Sequence, residues 1–244
     1  MIDLVLIGAG TGHPDHLTLQ GVRALQEADL VLIPRKGADK EDLAHLRRAM
    51  LDRHRPGGAV VEVDLPVRDA EMPYLQGVEA WHDAIAQAWA KAVDLPQGGT
   101  VAMLVWGDPS LYDSSLRIAA RLDWRARVIP GITAIQALCA AHTIPLNSLG
   151  NEVRITTGRR LREAGFPPDA DRVVVMLDGA CAFSTLPPQG LRIWWGAYLG
   201  MPEQLLDAGP LAEAGPRIEG VRAAARAAHG WIMDCYLLAR NDAH

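Results

Sequence analysis

Cysteine, lysine and phenylalanine are scarce in this 244-residue chain, and it has no long apolar run. The three cysteines, Cys139, Cys181 and Cys235, lie far apart and form no CxxC pair. That excludes a disulfide-stapled scaffold and the common zinc patterns. They read as reduced core residues, since a thiol nucleophile would need an activating base and none is identifiable. The apolar runs, such as Leu4 to Ile7 and Val173 to Leu177, are strand-length and fall well short of the ~20 residues that cross a bilayer. An acid, Asp3, precedes the first run where a secretory signal carries basic residues. The expectation is a cytoplasmic protein with no membrane partner. Positive charge is not in excess, with a formal net charge of -5. A general nucleic-acid face is therefore excluded. Lysine occurs only at 36, 40 and 91, so nearly every cation is a guanidinium, whose planar fork suits carboxylates.

What the chain does have is a 49% hydrophobic composition, ample for a continuous core. The opening "MIDLVLIGAG" reads as a buried strand ending in glycines. In "LTLQGVRALQEA" the spacing predicts a helix with Leu19, Val22 and Leu25 on one face. Strand-like "ADLVLIP", "AVVEVDLP", "GTVAMLVWGDP" and "RARVIPG" alternate with helix-like "KEDLAHLRRAMLDRH" and "YLQGVEAWHDAIAQAWAKAV". Such alternation predicts a mainly parallel sheet covered by helices on both faces. Beyond Gly131 the strands recur with less regular helices between them, and we expect an α/β organisation of two domains, 1–131 and 132–244.

Three turns at strand ends carry the functional signal. The first, Gly8 to Pro14, is glycine-rich and lets backbone approach a ligand. Its spacing is GxGxG followed by His-Pro, and the second strand ends in Pro34-Arg35-Lys36 with no acid. Both features disfavour the nicotinamide-dehydrogenase reading, whose fingerprint is GxGxxG with a later acid. His13 and His16 have only Asp15 as a nearby third ligand and read as a surface turn, so no metal site is expected. His142 reads as a packed or capping residue. The second turn, Gly107-Asp108-Pro109, ends a central strand, the edge at which open α/β sheets bind ligands. Pro109 fixes it, and Asp113 or Ser114 caps the next helix. The third, Pro130-Gly131, leads to Thr133 at a helix start.

In order and spacing, "GAGTGHPDHLTLQGVRALQEADLVL", "WGDPSLYDSSLRI" and "VIPGITAIQAL" resemble the tetrapyrrole methylases. The resemblance covers essentially the whole chain. It implies two α/β domains, an N-terminal mainly parallel sheet and a C-terminal mixed sheet, with a ligand cleft between them. It also implies S-adenosyl-L-methionine as cofactor, S-adenosyl-L-homocysteine as product, a small-molecule tetrapyrrole substrate and a homodimer. Carried over by motif, the cofactor contacts are Gly107, Asp108, Pro109, Tyr112, Thr133, Ala134, Met176 and Leu177, with Tyr198 and Leu199 where the alignment loosens. Thr11 stands where the family often has proline. Within the family, "DLVLIPRKGADKEDLAHLRR", "AAHTIPLNSLGNEVRITTGRRL" and "VVVMLDGACAF" most resemble a corrin-ring methylase that also removes an acetyl group. Asp108, Tyr112 and Asp113 are positional candidates for catalysing that hydrolysis. Arg35, Lys36, Arg117, Arg159 and Arg160, at or just beyond element ends, are candidates to bind substrate carboxylates. Another member of the superfamily, a different precorrin methylase or a diphthine synthase, is the nearest alternative.

Overall fold

The computed structural model describes residues 1–35, 41–69 and 71–240. They fall into two compact units, Met1–Thr133 and Ala134–His244. The first contains β1 (Ile2–Gly8), α1 (Leu19–Glu27), β2 (Leu30–Arg35), α2 (Glu41–His54), β3 (Val60–Asp64), α3 (Tyr74–Ala92), β4 (Thr100–Val105), α4 (Ser115–Ala119) and β5 (Trp124–Ile129). Its strands pair in the order β3-β2-β4-β1-β5, every pair parallel.

The uninterrupted apolar runs follow from burial on both faces of the sheet, where the side-chain period of two sends alternate residues to opposite cores. Val5 and Ile7 of β1 join Ala102 and Leu104 of β4 under α1 and α2, with Leu25, Met50 and Leu51. Leu4 and Leu6 join Val101, Met103 and Val105 under α3 and α4, with Ile85, Trp89 and Ile118. Each fully buried Leu or Ile contributes about 1.5–3 kcal/mol relative to exposure.

Helix α1 corrects the expected apolar face. Leu25 is buried and Val22 packs against the same core as expected, but Leu19 is 77% exposed, and Gly21 and Ala24 turn inward with them. The cause is the cap: Thr18 accepts the Gly21 N–H on its hydroxyl at 3.0 Å, which makes Leu19 the first helical residue. Gly21 then lies so close to β1 that an added methyl would come within 2.9 Å of Ile7 Cγ2.

Strands β2 and β4 pair only at Leu30–Val101 and Val31–Ala102, whereas β2 follows β3 as far as Arg35–Asp64. Beyond Ala102 the two central strands part, and Pro34 offers no amide hydrogen to draw them together. On the β4 side Arg47 Nε of α2 donates to Leu104 O at 3.0 Å.

The second unit contains α5 (Ala134–His142), β6 (Val153–Thr157), α6 (Gly158–Ala164), β7 (Arg172–Met176), β8 (Leu191–Ala197), β9 (Leu205–Pro210), α7 (Leu211–His229) and β10 (Asp234–Arg240). Its strand order is β6-β7-β10-β8-β9. Only β6 and β7 run parallel, so this sheet is mixed. Because β10 is antiparallel to both neighbours, β7 and β8 point the same way and end on one edge. The inward stripe of α7 is Leu211, Ala214, Gly215, Ile218 and Ala225, interrupted by Arg222.

Candidate functional site

The three strand-end turns of the first unit meet at one point on the carboxyl edge of the sheet. Gly8, Gly107 and Gly131 pack backbone on backbone. A methyl on Gly8 would stand 2.4 Å from Gly131 N, and one on Gly131 would stand 2.3 Å from Gly107 O. No side chain fits such an approach, which is why each of the three strand ends carries a glycine at the point of contact. Gly10 and Gly107 add a two-way bridge, with Gly107 N donating to Gly10 O at 2.7 Å and Gly10 N to Gly107 O at 3.2 Å.

Asp108 ties this junction together. Its Oδ2 accepts the Gly131 N–H at 2.8 Å, and its Oδ1 accepts the Ser110 N–H at 2.8 Å and the Ser110 hydroxyl at 2.5 Å. Burial raises its pKa, but the Ser110 hydroxyl and the amides of Gly131 and Ser110 together outweigh burial and hold the carboxyl below its ordinary value. Both oxygens of this ionised group serve as struts between the β4 and β5 turns. Since the N–H and C=O of Gly107 are also engaged, what that residue offers a ligand is shape. A methyl on Gly107 would meet only Thr133 Cα, at 3.9 Å, so its outer face is open.

Of the other expected residues in this unit, Pro109 is buried and Tyr112 is 44% exposed. Asp113 Oδ1 accepts the Ser115 N–H at 2.6 Å and so caps α4, while Ser114 makes no capping side-chain bond. Thr11 is buried, with its hydroxyl 3.2 Å from His16 Nδ1. Burial, reinforced by His13, holds His16 below the ordinary histidine value. Thr133 directly precedes α5.

In the second unit Met176 ends β7 and Leu177 follows it, Tyr198 and Leu199 follow β8, and Ala134 opens α5. Leu177 is exposed, but the Tyr198 side chain is buried and its hydroxyl donates to Trp231 O at 2.5 Å. Backbone strain marks these positions. Tyr112, Leu177 and Tyr198, at φ 51°, 53° and 49°, are three of the five non-glycine residues with positive φ among the described residues. Such conformations cost about 1–3 kcal/mol each and cluster at functional sites.

A buried polar network that no sequence motif announces supports the edge where β7 and β8 end. Asp178 accepts the Ala182 N–H and the Tyr236 hydroxyl, each at 2.6 Å, and the Ala180 N–H at 3.1 Å. Arg222 Nε donates to Asp234 Oδ2 at 2.8 Å, where Trp195 Nε1 also donates at 2.9 Å, and Arg222 reaches Asp178 O at 2.9 Å. Burial drives the Tyr236 hydroxyl pKa upward, assisted by the Asp178 carboxylate, and fixes it as a donor. An apolar strand and helix pattern would have predicted none of these partners.

The expected cations differ in their surroundings. Arg35 forks onto Asp64, with bonds of 2.8 Å to each carboxylate oxygen, and reaches Glu62 at 3.2 Å. Lys36 lies outside the described residues. Arg117 is exposed and donates to Asp113 O at 3.1 Å, just ahead of its own helix. Arg159 pairs along α6 with Glu163 at 4.0 Å, and Arg160 beside it is exposed. The structure thus puts Arg35 at the end of β2, Arg117 in α4, and Arg159 and Arg160 in the first turn of α6, just after β6.

Among the described residues no cluster of three His, Cys, Asp or Glu side chains could hold a metal, and no helix is long and apolar enough to cross a membrane. The cysteines form no disulfide, and burial raises the thiol pKa of each.

Comparison with known proteins gives this geometry a family. A precorrin-6A synthase [deacetylating] of Sinorhizobium sp is 47% identical over 99% of this chain and 96% of its own length. A putative cobalamin synthesis related protein, CobF, of Corynebacterium diphtheriae superposes with a TM-score of 0.86 at 39% identity, covering 99% of this chain and 100% of that one. The fold also matches a uroporphyrin-III C-methyl transferase of Thermus thermophilus complexed with S-adenosylhomocysteine, at a TM-score of 0.57 and 19% identity over 97% and 92% of the two chains. A family profile described as Tetrapyrrole (Corrin/Porphyrin) Methylases spans residues 3–215, and the chain belongs to that family.

Proposed function

We propose that this protein is an S-adenosyl-L-methionine-dependent methyltransferase of corrin-ring synthesis that converts precorrin-5 to precorrin-6A, methylating C-1 and releasing acetate. The observation that carries this reading is the 47% identity to a precorrin-6A synthase [deacetylating], which extends over 99% of the chain. The geometry agrees with it. The carboxyl edge of the first sheet is built from glycine backbone, and the open face of Gly107 suits a ligand recognised by fit. When bound, the cofactor supplies an electrophilic methyl group, so the protein has to contribute alignment more than chemistry, and proximity alone is worth several kcal/mol.

In this reading the cofactor contacts are Thr11, Gly107 to Pro109, Tyr112, Thr133, Ala134, Met176 and Leu177, with the backbone at Tyr198 and Leu199. Asp108 orders the loop and Asp113 caps α4, so neither is the base for hydrolysis. Arg117, Arg159 and Arg160 face substrate carboxylates. Arg35, already forked onto Asp64, takes a smaller share. The protein acts in the cytoplasm as a homodimer, on a small-molecule tetrapyrrole.

Incubation with precorrin-5 and S-adenosyl-L-methionine, read by acetate release and by the mass of the tetrapyrrole product, tests the assignment. One acetate and one methyl transfer per turnover are expected. Methylation of a different precorrin, or of a protein substrate, without acetate would move the chain elsewhere in the family. A calorimetric titration that shows affinity for NAD and none for S-adenosyl-L-homocysteine would remove it from methyl transfer altogether.

A further inference from the structure

The parting of β2 and β4 opens a cleft of about 150 Å³ in the first unit. A single water needs only ~10–15 Å³ of such space, so the four heavy atoms of acetate fit. Its walls include Arg47, Trp81, Trp89, Trp106, Tyr112 and Asp113. The gap runs through the sheet, for Arg47 arrives from α2 on one face and Trp89 from α3 on the other. We infer that this cleft is the deacylation pocket, which receives the acetyl group of the substrate and holds it, with Arg47 as the cation facing the developing oxyanion. The inference rests on the proposed function.

Two observations point to an oxygen-rich guest with an apolar end. Trp89 is 98% buried, and among the described residues its indole N–H has no acceptor. A buried donor without a partner costs about 1–3 kcal/mol, which an acceptor oxygen in the cleft would recover. The second is the guanidinium itself. Burial pulls its pKa down to about 10, against the pull of the Asp113 carboxylate, yet it stays charged at neutral pH. A cation held in low-dielectric surroundings interacts more strongly with an anion than one on the surface. The indole rings suit a methyl group.

Water bonds its oxygen to the acyl carbon, and the carbonyl π pair moves onto the carbonyl oxygen opposite Arg47. As the carbonyl re-forms, the carbon–carbon bond to the macrocycle breaks and its electron pair stays in the conjugated ring, where methylation consumes it. Acetate and two protons are released.

Acetate itself is the probe. Three tryptophans line the cleft, so titration with sodium acetate at constant ionic strength should change tryptophan fluorescence saturably. R47A should abolish the change. W89F, which keeps an aromatic ring but lacks the N–H, should weaken acetate at least threefold. In turnover of precorrin-5, R47A should slow acetate release at least tenfold while affinity for S-adenosyl-L-homocysteine stays within twofold, and guanidinium ion should restore part of the rate. A fluorescence response that does not saturate in the wild-type protein overturns the inference even if R47A does not fold. So does full-rate acetate release by R47A. If the wild-type protein releases no acetate from precorrin-5, the proposed function has failed, a result the titration does not depend on.

Discussion

Replacing Asp108 by Asn separates a strut from a catalytic base. The wild-type carboxylate takes a Gly131 amide on one oxygen and two Ser110 donors on the other. An amide has only one acceptor oxygen, so in either orientation its NH2 group faces a donor. If it faces Gly131, the 2.8 Å bond is lost and a backbone N–H is left unsatisfied. A hydrogen bond to a charged group is worth about 1.5–3 kcal/mol, and the two remaining bonds weaken as the acceptor loses its charge. The sum is about 3 kcal/mol. With an m-value of about 3 kcal/mol/M, the urea midpoint falls by about 1 M. The displaced loop should also bind S-adenosyl-L-homocysteine at least tenfold more weakly, about 1.4 kcal/mol. The pH dependence has a definite sign. Because the folded pKa lies below the ordinary 3.8, the stabilisation is complete above that value and is lost as pH falls through the folded pKa. The gap between wild type and D108N is therefore constant from pH 7 to about 5 and closes in more acidic solution. An unchanged urea midpoint and cofactor affinity, combined with abolished acetate release, would refute this reasoning and make Asp108 a participant in the chemistry.

Glycine substitutions at the junction should split sharply. G131A places a methyl 2.3 Å from Gly107 O and should yield no soluble folded protein, whereas G107A, at φ +66° with its nearest neighbour 3.9 Å away, should lose only about 1–2 kcal/mol in urea unfolding. In the second unit R222M leaves the buried Asp234 carboxylate unpaired and should cost about 3–5 kcal/mol, with part of it regained in R222M/D234L. D113N retains an acceptor for the Ser115 amide and should release acetate within about threefold of wild type, while D113A should lose about 1 kcal/mol of stability. Loss of hydrolysis by D113N, with its fold intact, would make Asp113 a base.

The elements that sequence discloses most readily are those whose burial is complete. β1 and β4 are apolar on every residue from Leu4 to Ile7 and from Val101 to Val105, because helices cover both faces, and glycine or a glycine turn ends each. Helix α1 was legible as a helix but not in its orientation, since periodicity gives the same weight to an exposed Leu19 as to a buried one and a cap hydroxyl decides between them. Gly107 to Pro109 could be recognised as a turn at the carboxyl edge of the sheet, and the Asp113 cap follows from local spacing. What Asp108 does could not be read, because its second partner is Gly131, 23 residues on. The same applies to Arg47 and Leu104, 57 apart, and to Tyr236 and Asp178, 58 apart. "DLAHLRR" shows an amphipathic helix, and only the parting of two strands turns one of its arginines into the wall of a cleft.

The contact among Gly8, Gly107 and Gly131 forms only when β1, β4 and β5 have all reached register, since it contains no side chain that could meet its partners earlier. A ligand that reads this edge therefore reads the completeness of the sheet. Partly folded chains would be invisible to it, and its binding would draw the whole population toward the finished unit by mass action, by about 2.7 kcal/mol at a hundredfold excess over Kd. If the cofactor binds at this edge, its affinity doubles as an inspection of the fold and reports how faithfully three distant segments have been brought together.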